Sequence, residues 1–265
     1  MIKYQPANKL VNGFNTVTRE EDYTQNMLMD FDVYVGEKGE KLIIHNFTKE
    51  IAVILFQGKM KFNWEKKEVA AERENVFDFG PYVLHVCKDK EIVIEFLEKT
   101  EIGIQKATNK NVFESKLYFP KDCVDHIFGK EGMDGTARRL VRDVFKYENA
   151  PYSNMVMGEV ITFPGKWSSY PSHSHPQPEV YFYKFTKPQG FGAGFVGENV
   201  FKIKDNSSLL ITGGLTHPQT SAPGYGMYYC WMIRNLEGNP WTKRIDDKAH
   251  TWLFDINAKI WPNNK

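Results

Sequence analysis

Cysteine is scarce in this chain: three residues in 265, at Cys87, Cys123 and Cys230. An odd number at wide spacing argues against a disulfide framework and points to a reducing, cytoplasmic setting. Each cysteine reads as a small buried hydrophobe. Neither charge sign is in excess, since 34 basic and 33 acidic residues leave a net charge of +1. No dense Lys/Arg run is present, which argues against a nucleic-acid surface. The same balance gives no long-range attraction to an anionic membrane. No apolar run approaches bilayer-spanning length. The opening "MIKYQPANKLVNGF" lacks the apolar core of a signal peptide. Helical periodicity is also nearly absent. One segment, "DGTARRLVRDVFKY" at 134–147, is a fair helix candidate, and it also alternates well enough to be a strand.

What is abundant is aromatic: 14% of the chain, with 19 Phe and 13 Tyr. Such residues favour strands. Short apolar or alternating runs recur, among them "IAVILFQG", "YVLHVC", "EIVIEFLE", "VYFYKF" and "GMYYCWMI", mostly divided by turn residues. The expectation is an all-β protein of sandwich or barrel type. Two stretches, 51–98 and 179–235, carry the same order of features. Each has an apolar strand ending at glycine (Gly58, Gly190), an Asn turn (Asn75, Asn206), a second apolar strand, more glycine (Gly80, Gly213–Gly214) and then histidine (His85, His217). This reads as two similar β-barrels in tandem. The junction is expected in the Gly-rich 120–140 region, which divides the chain into 1–132 and 133–265.

The halves differ in chemistry. Of seven histidines, His173, His175 and His217 fall in the second half, together with Glu179. The stretch "KWSSYPSHSHPQPEVYFYKF" at 166–185 puts His173 and His175 at i and i+2, on one face of any strand. Glu179, Tyr181 and Tyr183 share a face by the same rule. Pro176 and Pro178 predict a turn or bulge between the two sets. That turn can fold the glutamate beside the imidazoles, and His217 would arrive from a later strand. Three imidazoles and a carboxylate suit a divalent first-row metal, zinc first and manganese second. His85, at the position matching His217, has no such partners and reads as structural.

The pattern H-x-H-x3-E followed by G-x2-H resembles the two motifs of the cupin superfamily. The segments "FPGKWSSYPSHSH", "EVYFYKFTKPQGFGAGFV", "GGLTHPQTSAPGYGMYYCWMI" and "TARRLVRDVF" resemble the 5-deoxyglucuronate isomerase family of myo-inositol catabolism. In the first half "VTRE", "LFQGKMKF" and "RENVFDFGPYVLHV" are similar to that family as well. The resemblance implies a bicupin: a metal-free N-terminal barrel of jelly-roll type and a C-terminal barrel with the metal on His173, His175, Glu179 and His217. It further implies conversion of 5-deoxy-D-glucuronate to 2-deoxy-5-keto-D-gluconate, an aldose–ketose isomerisation.

That chemistry needs a polarised carbonyl, a base and a cation for the substrate carboxylate. The candidate bases are Tyr181, Tyr183 and a metal-bound hydroxide, with Glu179 if it leaves the metal. The candidate cations are Arg234 and Lys166, with Lys184 expected to face solvent. The expected partner is a small acidic sugar, without nucleic acid or membrane, in a homo-oligomer. Alternatives are a related uronate ketol-isomerase acting on a pectin-derived hexosulose uronate, a cupin dioxygenase, and a non-catalytic bicupin that binds acidic sugars.

Overall fold

The computed structural model describes residues 3–262. Strands dominate, with three short 3-10 turns as the only helical elements among the described residues. No helix of these residues is long and apolar enough to cross a membrane. The three cysteines are free and buried.

The first half is built on a nine-stranded sheet whose main path runs Lys116–Tyr118, Val83–Val86, Lys49–Trp64, Thr100–Thr108, Asp30–Gly36, Gly13–Thr18. Its centre is the 16-residue strand Lys49–Trp64. From Lys49 to Phe56 every residue is buried; beyond Gln57 burial alternates. The change coincides with a register shift between Leu55 and Gln57. Past that bulge the strand pairs with Lys67–Arg73 and Ile92–Phe96 instead. An inserted residue bends a strand and raises its twist, so one chain segment serves both layers of a sandwich. Gly58 sits in the bend at φ +113°, where a Cβ would lie 2.5 Å from Thr100 Oγ1.

The second half is built on a seven-stranded sheet ordered Lys3–Gln5, Ser208–Ile211, Glu179–Phe185, Met227–Arg234, Met155–Thr162, Arg139–Phe145, Asp125–Phe128. A four-stranded sheet, Trp167–Ser168, Gln219–Ser221, Phe191–Val196, Asn199–Lys204, packs against one of its faces. The sheets are open, so the expected barrels are realised as sandwiches of unclosed sheets. The candidate helix at 134–147 is resolved in favour of its strand alternative. Arg139–Phe145 is hydrogen-bonded on both sides, to Asp125–Phe128 and to Met155–Thr162. Two ladders outweigh the modest local preference for a helix.

Three apolar cores result. One fills the N-terminal sandwich (Ile51, Val53, Leu55, Phe62, Ile94). A second fills the C-terminal one (Tyr181, Tyr183, Leu209, Tyr229, Trp231). The third lies between the halves, where Phe31, Ile54 and Phe56 meet Val180, Phe182, Tyr228 and Met232. The central strands of the second half are therefore buried on both faces, which is why "VYFYKF" and "MYYCWMI" read as nearly unbroken apolar runs. The large sheets do not respect a cut at 132/133. Lys3–Gln5 and Asp125–Phe128 both pair within the C-terminal sheet.

Charge is buried between the halves too. Arg73 reaches Glu159 at 2.8 Å with both side chains fully buried, and Tyr228 donates to the same carboxylate at 2.6 Å. Glu50 accepts hydrogen bonds from Asn109, Ser153 and the Asn154 backbone, and lies 2.8 Å from His85 Nε2. His85 also stacks on Phe145, a structural placement.

Candidate metal centre

The site forms where the strand Glu179–Phe185 begins. The chain bends at Pro176–Gln177, as the prolines predict. On one side of the bend is the two-residue strand His173–Ser174; on the other is Glu179, paired with Ile211 and Ile233. The loop bearing His217 is held tightly against this bend. Gly214 N donates to His175 O at 2.7 Å, and a Cβ on Gly213 would sit 1.8 Å from Pro176 O. Only glycine permits that approach.

The result is a triad. His175 Nε2 lies 3.2 Å and His217 Nε2 3.3 Å from Glu179 Oε2, all three residues being buried. Their donor atoms fall within 4.8 Å of one another. Two ligands each about 2.1 Å from one ion stand roughly 3–3.4 Å apart, so this spacing fits a shared cation. Tautomers agree. His175 Nδ1 faces Gln177 O at 3.0 Å and His217 Nδ1 faces Leu215 O at 2.9 Å. A ring that gives its Nδ1 proton to a carbonyl presents a bare Nε2 lone pair, as in ligating histidines. His217 Nε2 is buried without an aligned hydrogen-bond partner. The donor set therefore fits a divalent first-row metal.

His173 stands beside the triad. Its ring meets His217 edge to face at 4.9 Å between centroids, yet its donor atoms are not among those within the 4.8 Å group. The i, i+2 rule holds along a continuous strand; here the strand ends at Ser174 and the bend follows. His173 is held by pairing with Asp246. Burial, reinforced by His217 and Arg244, lowers its pKa to about 2; burial also lowers that of His217. Neutral imidazole is the metal-binding form.

His173, His175 and Glu179 line a cavity of about 510 Å³. Tyr181 shares this wall, 3.5 Å from Ser169 Oγ. Tyr183 does not: its hydroxyl donates to Gln219 Oε1 at 2.8 Å and it packs in the core. Sequence reasoning missed Tyr229, opposite Tyr183 in the ladder and in the cavity wall beside Tyr181. Its hydroxyl donates to Ser168 Oγ at 3.0 Å. Strand parity in "GMYYCWMI" puts Tyr229 and Trp231 on one face, a signal that was available. Burial pushes the Tyr229 phenol up to about 12 and that of Tyr181 well above its usual range. Both hydroxyls are proton donors at neutral pH.

The two sequence-nominated cations lie elsewhere. Arg234 donates to Leu28 O, at 3.0 Å, and to the Asn154 carbonyl, and it lines a different cavity. Lys166 is half-buried, its carbonyl taken by Ser221 N and Thr220 Oγ1, and it is absent from the cavity wall. Lys184 is not solvated as expected; it pairs with Glu101 across the halves and is 12% exposed. The cations in the cavity wall are Arg139, Lys243 and Arg244.

Comparison with known proteins places the chain in a family and supports its fold. The chain is 27% identical over 250 residues to the 5-deoxy-glucuronate isomerase of Geobacillus kaustophilus, covering 85% of each. An IolB-like protein from Salmonella typhimurium superposes with a TM-score of 0.84 at 18% identity, covering 95% of this chain and 98% of that one. A cupin 2 conserved barrel domain protein from Leptotrichia buccalis gives 0.52 at 12% identity, over 86% and 91%. The relatives named as isomerases and the family match agree on an enzyme that catalyses isomerisation. The profile of the KduI/IolB family matches residues 4–253, and the chain belongs to that family.

Proposed function

We propose that the protein is a metal-dependent aldose–ketose isomerase that converts 5-deoxy-D-glucuronate to 2-deoxy-5-keto-D-gluconate. The observation that carries this reading is the convergence of His175, Glu179 and His217 on one point at a sugar-sized cavity. The names of the curated relatives supply the substrate.

A bound zinc or manganese ion, held by His175, Glu179 and His217 with His173 beside them, supplies Lewis-acid polarisation of the sugar carbonyl. The protein does the rest. Isomerisation breaks one C–H bond and forms another on the adjacent carbon, while the hydroxyl proton passes to the former carbonyl oxygen, with no net redox change. Glu179 lines the cavity and, on leaving the metal, takes and returns that proton, a contribution of roughly 10²–10⁴ in rate. Tyr181 keeps its proton and donates a hydrogen bond to a sugar oxygen where charge develops, while Tyr229, its proton on Ser168 Oγ, packs beside Tyr181. Ser168 and Ser169 hold those hydroxyls. The apolar wall of Trp231, Ile233 and Trp241 keeps bulk water from the proton in transit.

The test is elemental analysis of purified protein, followed by turnover of 5-deoxyglucuronate. One equivalent of metal and measurable isomerisation are expected. His217→Ala should lose both while its circular dichroism stays native. Full metal occupancy in that variant, or turnover confined to a hexosulose uronate, would remove the proposal.

A further inference from the structure

The cavity that holds the triad also holds two guanidinium groups close enough to repel each other. Arg139 gives one N–H to Ala137 O at 2.9 Å and lies over the Phe128 ring at 5.3 Å. Among the described residues no carboxylate forms an ion pair with it. Burial and the nearby Arg244 both disfavour its charge. Arg244 is ion-paired with Asp246, Nε to Oδ1 at 2.8 Å. The acidic groups of the same wall are already engaged: Asp143 with Lys146 at 3.0 Å, Glu179 with His175 and His217. Both arginines also border an adjoining cavity of about 270 Å³ beside Tyr170 and Pro171. They therefore stand on wall shared by two cavities, reachable from either.

Two partly buried guanidinium groups share the single carboxylate of Asp246, so a net positive charge remains, and a low-dielectric wall strengthens its field. An anionic ligand offsets it. Arginine offers five N–H donors in a planar fork that matches a carboxylate, and Arg139 uses one of them here. We infer that Arg139 and Arg244 form a carboxylate clamp, which selects sugar acids over neutral sugars and turns the carbonyl end towards Glu179. The orientation rests on the proposed isomerase reading; the clamp itself does not. The clamp replaces Arg234 and Lys166, which lie outside this wall.

The test is calorimetric titration of the metal-loaded full chain with D-glucuronate and, separately, D-glucose. The wild type should prefer glucuronate at least tenfold. Arg139→Gln and Arg244→Gln should each weaken glucuronate binding by about 10- to 100-fold, the loss of a charge-assisted contact, without changing the response to glucose. Arg139→Lys keeps the charge and loses the fork, so an intermediate loss is expected; it also serves if the glutamine variant fails to fold. A wild type without preference, or variants that keep it, would overturn the clamp. Parallel turnover of 5-deoxyglucuronate separates the two ideas. Selective binding without turnover removes the isomerase and leaves the clamp, whereas turnover with an unchanged KM in the glutamine variants does the reverse.

Discussion

Tyr181 and Tyr183 sit two residues apart on one strand face, yet one meets the cavity and the other is spent on Gln219. Tyr181→Phe is expected to lower kcat by about 10- to 100-fold with unchanged folding, as for the loss of a transition-state hydrogen bond. Tyr183→Phe should cost about 1 kcal/mol of stability and little kcat, because it strands the buried Gln219 carbonyl. Steady-state kinetics on both variants decides; equal kinetic losses would merge their roles. The imidazoles make a second prediction. His173 and His217 have folded pKa values below 6.5, that of His173 at about 2. Above pH 6.5 both states of the metal-free protein are neutral at these groups, so they contribute no pH dependence. Below it the unfolded chain takes protons that the fold refuses, and stability falls by up to about 1.4 kcal/mol per pH unit for each group. Urea midpoints of metal-free protein at pH 7.5 and 5.5 should differ in that direction, and His173→Gln should flatten the slope. Identical midpoints would contradict it.

At the scale of elements, the contact between the 213–217 loop and the Pro176 bend brings the triad together. Gly213→Ala drives a methyl group into Pro176 O and must move either segment. Metal affinity should fall at least tenfold, with a lower Tm, whereas Gly214→Ala meets no atom within 4 Å and acts only through its φ of +88°. Competition with a chromogenic chelator measures the difference; equal affinities would show that the loop is free to adjust. The second-half strands were legible element by element because two buried faces leave a continuous apolar signature. The segment at 134–147 was ambiguous because its periodicity suits either state, and two neighbouring strands made the choice.

At the scale of the molecule, the halves are joined by an apolar core and by Glu159, which faces Arg73 and Arg142. Glu159→Gln leaves the buried Arg73 guanidinium without a counter-charge and should cost about 3–5 kcal/mol. Replacing Arg73 by Met and Glu159 by Leu together should cost much less, although Arg142 still keeps Asp125. Chemical denaturation of the three proteins reports this; a single variant as stable as the wild type would mean that water reaches the pair.

By itself the sequence determined what depends on near neighbours. Alternation and turn residues specified strands, the paired histidines and following glutamate marked the candidate metal site, and scarce cysteine left a thiol chain. Side-chain parity is a local property of extended backbone, so such features survive any larger arrangement. Tertiary structure decided which cations share the cavity, which tyrosine reaches it, and that His173 stands apart from the triad. Those depend on contacts between residues far apart in the chain, such as Gly213 on Pro176, Tyr229 beside Tyr181 and Asp246 on His173. No local pattern encodes a distance across a cavity, which only the packing of whole sheets sets.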